Sequence, residues 1–263
     1  MAVQGPWVGS SAVAETGQRW MSTARTVVRL PAAGWMSEMN GRSKEIELVI
    51  TENHNYQAQW LIDWLRSIGS TPGKIIIAGH IVSPATTQPV LDFPSDLPNA
   101  YVHIVVNPGV HVLGRGGNGR GQWEKGDPGG NAIHNWIGGR LQITNNGVIG
   151  GGGGGGGSAY DRYSACHRWA SGSGGRPYGA GGGAWAPGKA ADFWNPGGES
   201  NAHGAYGGAG GNLGAAGAAG RFTTGGKGAQ CESAATAGGA AGLAVLGGGT
   251  TWHAWGQVYG TVQ

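Results

Sequence analysis

The residues best spaced to do chemistry are Gly114-Arg115-Gly116-Gly117-Asn118-Gly119, a GxGxxG run behind a strand-like stretch. In a dinucleotide site such a run lets the backbone approach a pyrophosphate at the start of a helix. No helix can follow here, because residues 120–130 hold further helix breakers and no apolar periodicity. Gly69-Ser70-Thr71-Pro72-Gly73-Lys74 resembles a phosphate-binding loop one residue short, and Ile75 stands where a magnesium-holding Ser or Thr belongs. Hydrolytic chemistry needs an activated nucleophile or a pair of carboxylates. The fourteen acidic residues are scattered, there is no GxSxG, and none of the eight histidines pairs with another at i+3 or i+4. Cys166 and Cys231 are too few for a disulfide framework and lie in no CxxC pair. The sequence is therefore read as non-enzymatic, with no cofactor and no metal.

What remains is contact chemistry, and glycine decides which elements can present it. Eight of the 57 glycines precede residue 109, so the rest are concentrated in the remainder of the chain and mark a boundary near residue 113. Residues 150–157 are eight consecutive glycines. Such a run either stays a linker or sits where no side chain fits. Polyglycine II helices, with three residues per turn and no internal hydrogen bonds, must exchange those bonds with neighbours when packed. Gly211, Gly214, Gly217 and Gly220 keep a period of three, and Gly204, Gly207 and Gly210 repeat it out of phase. The expected fold class is a small α+β domain over residues 1–113, followed over 114–263 by packed polyglycine II helices with low regular α/β content and exposed loops.

Charge adds an exclusion. Seven basic residues face eight acidic ones before residue 109, and ten face six after it, so the sequence pI near 9.0 belongs to the glycine-rich part. Without clustered Lys/Arg runs, nucleic-acid binding is not expected. Residues 1–17 lack the basic start and apolar core of a signal peptide, and no stretch reaches membrane-spanning length. The chain is expected to be made in a cytoplasm and to stay soluble, leaving a cell by lysis or as part of a larger particle.

In the first part a helix is expected over 56–68, where Trp60, Trp64 and Ile68 share a face with Leu61 and Leu65, Asn55 precedes it and Gly69 follows it. Strands are expected at 26–30, 45–51, 74–82 and 101–106, with residues 1–24 irregular. Trp7, Trp20 and Trp35 are many for so small a core; the surplus suggests a protein partner, and the alternative is that they fill the domain's own core. Beyond it, glycine-rich segments at 114–121, 138–157, 172–188, 204–220 and 237–249 alternate with segments that hold the large and charged side chains. The candidate contact residues, all read as loop residues, are Trp123, Tyr160, Arg162, Tyr163, His167, Arg168, Trp169, Phe193, Trp194, Arg221, Phe222, Trp252, His253 and Trp255. Rigid supports lower the ordering cost of such anchors, each worth about 2 kcal/mol or more.

The motifs also carry a family resemblance. Residues 15–21 (ETGQRWM), Gly34-Trp35-Met36-Ser37, Gly41-Arg42-Ser43, the 54–60 segment, the 114–119 glycine run, Ile137-Gly138-Gly139-Arg140-Leu141 and the 150–157 run together resemble the receptor-recognising adhesins of T-even-type phage long tail fibres. That resemblance, over essentially the whole chain, implies several things. An N-terminal domain, with Trp7, Trp20 and Trp35 in its contact face, would attach to a trimeric fibre tip. Loops between the glycine motifs would bind a porin-like outer-membrane protein of the host and determine host range. The chain would sit at the distal tip of the long tail fibre in the virion. An alternative is a fibre-assembly chaperone that shares the attachment and leaves before maturation. Two further alternatives are an ice-binding protein, which would share the rods without the aromatic loops, and a glycan-acting enzyme, which would need a carboxylate constellation.

Overall fold

The computed structural model describes residues 2–5, 7–121, 123–163, 166–183, 185–222 and 233–263. Its first 42 residues form a small helical unit: α1 (Val8–Thr16), α2 (Met21–Val27) and a 3-10 turn, Met36–Met39, close on Val3, Ala12, Ala24, Val28 and Met39. So few apolar side chains make a weak core, and a charge completes it. Arg25 is 1 % exposed; its guanidinium donates to the carbonyls of Pro31 (2.7 Å), Ala33 (3.2 Å) and Trp35 (2.5 Å) and pairs with Glu38 at 2.6 Å. The strand expected at 26–30 is instead the end of α2, because burying Val28 against Ala12 and Ala24 overrides the local β-branched preference.

The chain then winds. In order come β1 (Ile46–Ile50), α3 (Ala58–Ser67), β2 (Gly73–Ile77), β3 (Ile81–Val82), β4 (Leu91–Phe93), β5 (Val102–Val106), β6 (His111–Leu113), β7 (Ile133–Asn135), β8 (Leu141–Asn145) and β9 (Val148–Gly150). A long excursion carries β10 (Ala159–Tyr163), β11 (Cys166–Ala170), β12 (Ser200–Ala202), β13 (Ala205–Gly207), β14 (Arg221–Phe222) and β15 (Ser233–Ala235). Then β16 (Val245–Leu246), β17 (Thr251–Ala254) and β18 (Gln257–Tyr259) finish the chain. The expected strands at 45–51 and 101–106 and the helix at 56–68 are present, while the expected strand at 74–82 is divided into β2 and β3 by a bend.

The strands recur in a cyclic order. One parallel sheet runs β1-β2-β5-β8-β17, a second β18-β9-β6-β3 and a third β16-β7-β4. Each turn of chain thus leaves one strand in each sheet, and the three sheets face one core. Ile75, Ile77, Ile104 and Ile143 come from the first, Ile81, Val112 and Ile149 from the second, and Leu91, Phe93, Ile133 and Val245 from the third. This is a three-sided parallel coil in which each layer rests on its neighbours. In its first turn α3 takes the place of a third-side strand, seating Leu61 and Leu65 beside β4. The corners would orphan backbone groups, and buried asparagines satisfy them. Asn99 Nδ2 donates to the carbonyls of Leu65, Gly69 and Thr71, Asn135 Nδ2 to those of Gly138 and Gly248, and Asn145 Nδ2 to those of Trp255 and Gln257.

These sheets correct the expected fold class. Regular structure is not confined to an α+β first part. Of the eighteen strands among the described residues, twelve lie beyond residue 113, and β7, β8, β9, β16, β17 and β18 complete sheets begun before it. The fold is mixed, with few helices and many short strands, rather than an α+β domain followed by a polyglycine II domain. The physical reason lies largely inside the segments read as glycine-rich: Leu141, Ile143 and Ile149 within 138–157 and Val245 within 237–249, with Ile133 between segments, bury in the shared core and bring strand pairing with them.

The glycine segments leave the coil from the ends of β6 and β9 and stay in register at first, Gly114 N–H donating to Gly150 O at 2.9 Å. Beyond that point three successive glycines bond three different segments, and Gly155, Gly156 and Gly157 return to the same three at Asp127, Ser173 and Ala218. Gly152 donates to Gly130 (2.8 Å), Gly153 to Arg176 (2.7 Å) and Gly154 to Ala215 (3.0 Å). A Cβ on Gly153 or Gly154 would lie under 3.0 Å from the carbonyls of Gly211 or Gly239, whereas one on Gly183 would meet nothing within 4 Å. Gly153→Ala and Gly154→Ala are therefore expected to destabilise the protein by about 2 kcal/mol or more, through overpacking against rigid backbone. Gly183→Ala should leave stability unchanged within about 0.5 kcal/mol. Chemical denaturation of the three variants measures the difference.

Candidate functional site

The candidate aromatic residues fall into separate groups, each held by a different element, and two of them, Tyr160 and Phe193, are buried at 6 % exposure. The first lies on the excursion. β10 and β11 pair antiparallel with Tyr160 opposite Trp169, and their rings sit 5.4 Å apart. Trp123 closes on the other side of Tyr160 at 4.3 Å, in a backbone conformation with φ 70°, and remains 50 % exposed. The turn that carries Trp123 is tied to the strands by Thr236, whose hydroxyl donates to Glu124 O at 2.8 Å and accepts from Ser158 N–H at 2.7 Å. Arg168 reaches His203 O at 2.8 Å. The antiparallel sheets β11-β10-β15 and β12-β13-β14 meet over Ala159, Ala170 and Ala205, and Phe222 packs half-buried onto that seam. Arg221 forks onto Glu199 (3.1 and 2.8 Å) and lies 4.2 Å over the Tyr206 ring. Arg162, Tyr163 and His167 belong to β10 and β11 by backbone, and their side chains lie outside the described residues.

A second group packs on the coil. Asp192 Oδ1 accepts from the N–H groups of Asn195 and Trp194, both at 2.6 Å, and these bonds hold its carboxyl below the usual range. The tight turn drives Phe193 inward, stacked on His54 (5.1 Å) and against His80 and His111, while Trp194 stays 57 % exposed with its face toward Arg176. The third group is on the coil's last turn: Trp252 packs half-buried on the core, and Trp255, 51 % exposed, lies 4.3 Å from it. His253 stands edge-on to His103 at 5.6 Å and lies 3.1 Å from Gln142 Oε1.

Trp123, Tyr160, Trp169, Arg221 and Phe222 thus converge on one region with Arg168, and the described ring contacts join neither Phe193 and Trp194 nor Trp252 and Trp255 to it. Ten of the fourteen candidate positions lie on strands rather than loops, since Tyr160, Arg162, Tyr163, His167, Arg168, Trp169, Arg221, Phe222, Trp252 and His253 all fall within β10, β11, β14 or β17. Alternation of glycine with large residues does not distinguish a loop from a short strand. Tyr206 and Trp185, the latter 82 % exposed, escaped the sequence reading because both lie inside segments taken as glycine rods. A polar cleft of about 440 Å³ borders this region, lined by Asn118, Arg120, Glu124 and glycines, with Arg120 bonded to Asp127 at 2.9 Å.

The N-terminal unit presents a different surface. Trp7, Trp20 and Trp35 are 78, 79 and 79 % exposed. Each occupies the position just before a helix: α1, α2 and the 3-10 turn. Arg29 ties the unit to the coil, donating to Gln142 Oε1 (2.8 Å), pairing with Glu45 (2.9 Å) and meeting His103. Among the described residues no group of three or more His, Cys, Asp or Glu is placed to hold a metal, and no helix is long and apolar enough to cross a membrane.

A helical unit bearing three bare tryptophans, a parallel coil and an excursion that carries aromatic side chains suit an adhesin-type protein. The sequence matches the family described as phage tail fibre adhesin Gp38 over residues 45–263, and that adhesin's N-terminal domain over residues 1–40. The chain belongs to the Gp38 family of phage tail fibre adhesins. It is 48 % identical over 184 residues to the receptor-recognizing protein gp38 of Salmonella phage S16, covering 69 % of this chain and 72 % of that one. It is also similar to a chain in the crystal structure of the gp37-gp38 adhesin tip complex of the bacteriophage S16 long tail fiber, with a TM-score of 0.78, 42 % identity and full coverage of both chains.

The second aromatic group gives a pH prediction. Burial, with His80 and Arg176 adding positive charge, holds the His111 imidazole down at about 4. Free histidine titrates near 6.5, so between these values the unfolded chain binds more protons, and stability falls as the pH falls through that window. Urea unfolding at about pH 7 and about pH 5 should show this loss, and His111→Gln should make it smaller.

Proposed function

We propose that this adhesin is the receptor-recognising protein at the distal tip of a long tail fibre in a phage virion, made in the host cytoplasm and retained on the particle. Its attachment region would fall within residues 1–113 and its receptor-binding region within 114–263. The observation that carries the reading is that exposed tryptophans stand on two different units, Trp7, Trp20 and Trp35 on the helical unit and Trp123 against Tyr160 of the excursion. Trp7, Trp20 and Trp35 are left bare on a unit too small to cover them, which a monomer seldom tolerates without a partner. One tryptophan at each of three short helical elements suits a trimeric fibre tip, and the S16 relative occurs in a gp37-gp38 tip complex.

At the other surface, Trp123, Tyr160, Trp169 and Tyr206, with arginines beside them, have the make-up of a binding hot spot. The glycine-packed backbone beneath them lowers the ordering cost. We assign this surface to a porin-like outer-membrane protein and to the choice of host, with Phe193, Trp194, Trp252, His253 and Trp255 as further candidates. Several fibres on one particle add avidity to a weak single contact. The chaperone reading differs in one outcome, since a chaperone would be missing from purified virions.

Alanine at Trp7, Trp20 and Trp35 together should abolish incorporation into fibres, read by mass spectrometry of purified particles, while leaving the coil's unfolding transition in place. Normal incorporation would put the attachment surface elsewhere. Exchanging residues 160–169 and 252–255 for those of a relative with another host should redirect adsorption; unchanged host choice after both exchanges would remove these segments from the receptor surface.

A further inference from the structure

The first turn of the coil is capped on only two of its three sides. On the third side α3 stands over β4, and on the second Asn53 bridges to Ile81. On the first side β1 is the terminal strand. Ile46 N–H donates to Pro72 O (3.0 Å) and Ile50 O accepts from Ala78 N–H (2.8 Å), so residues 46, 48 and 50 face β2. The backbone groups of Glu47 and Val49 therefore point away from the sheet. Exposed edges are normally blunted by Lys, Pro or a bulge. The sequence Ile46-Glu47-Leu48-Val49-Ile50 has none of these, and Val49 is 55 % exposed.

Beside this edge a cavity of about 300 Å³ opens between the end of β1 and the start of α3, lined by Val49, Thr51, Glu52, Tyr56, Gln57 and Trp60 among others. Trp60 is 53 % exposed and stands edge-on to Tyr56. Tyr56 is 4 % exposed, and its hydroxyl is buried without a hydrogen-bond partner among the described residues. Glu52, 63 % exposed by side chain and 3.2 Å from His54 Nε2, is the ionised side chain of the lining, while Glu47 on the same edge is paired with Lys74 at 2.6 Å.

The geometry points to a peptide-docking site: the open edge of β1 takes an extended segment of a partner protein as an added strand, an apolar side chain of that segment enters the cavity beside Tyr56 and Trp60, and a neighbouring Lys or Arg meets Glu52. Free edge groups specify an extended backbone, the cavity beside Trp60 specifies an apolar residue, and Glu52 specifies the charge. A second copy of this chain pairing through β1 fits worse, because Ile46–Ile50 carries no Lys or Arg to meet Glu52. The site adjoins the second aromatic group through Glu52 and His54 and shares no lining residue with the three N-terminal tryptophans.

The test uses the full chain and an acetylated nine-residue peptide of alternating Thr and Val with one Arg beside the central Val. Saturable binding at or below about 1 mM, read by tryptophan fluorescence, is expected. So is slower amide exchange at Glu47 and Val49. Val49→Pro removes an outward donor without breaking the pairing with β2, and Trp60→Ala removes a cavity wall. Each should weaken binding about tenfold or more, as should N-methylation of alternate peptide residues. The proposal is overturned by an absence of binding in that range. It is equally overturned by equal binding of both variants or of the N-methylated peptide, or by a concentration-dependent dimer of the chain that Val49→Pro abolishes.

Discussion

A buried backbone amide must find an acceptor, and in the run at 151–157 every acceptor is a backbone carbonyl. That constraint fixes how the excursion is built. Gly152, Gly153 and Gly154 each donate to a different stretch of chain, residues 130, 176 and 215. Every one of those stretches must therefore pass within hydrogen-bonding distance, and only glycine lets them come so close. The aromatic surface above inherits its rigidity from this mesh of backbone bonds. Its side chains contribute contact area while the main chain contributes stiffness.

The coil solves the same problem with parallel ladders, and the two solutions meet where β6 and β9 run out of side chains. Ile149 is fully buried in the coil core, and Gly150, the next residue, is the last in strand register. Sheet and glycine mesh are thus continuous through one peptide. The N-terminal unit is the contrasting case, since its apolar core is five small or medium side chains and a single guanidinium organises the rest. A unit of that kind gains most from a partner that covers it.

How much of this was legible in the sequence follows from range. β1, β5 and α3 were readable because alternation and helical periodicity are local signals, as in Ile46-Glu47-Leu48-Val49-Ile50 or Trp60, Trp64 and Ile68. The strand expected at 26–30 failed because Val28 answers to Ala12 and Ala24, contacts that no window of a few residues contains. The coil was invisible for the same reason: β8 and β17 are separated by the whole excursion, and nothing in either announces the other. Among the site residues, Trp123 and Tyr160 were found by composition alone. Trp185 and Tyr206 were missed because the glycines around them hid two large side chains in what read as rod. The division of the candidates into groups depends on Asp192, whose turn sends Phe193 into the coil's histidines, and no spacing rule predicts that.

The return of the chain to the coil sets the order in which it can fold. β16 takes its place on β7, and β17 on β8, only after a detour of roughly a hundred residues, and closing so large a loop is entropically costly and slow. The first turns, linked by short connections, can assemble while the chain is still being synthesised. The last turn has to wait for the glycine mesh to bring its two ends together. Until then the outer edges of β7, β8 and β9 stand open, and the nascent adhesin is at its most vulnerable to pairing with another chain.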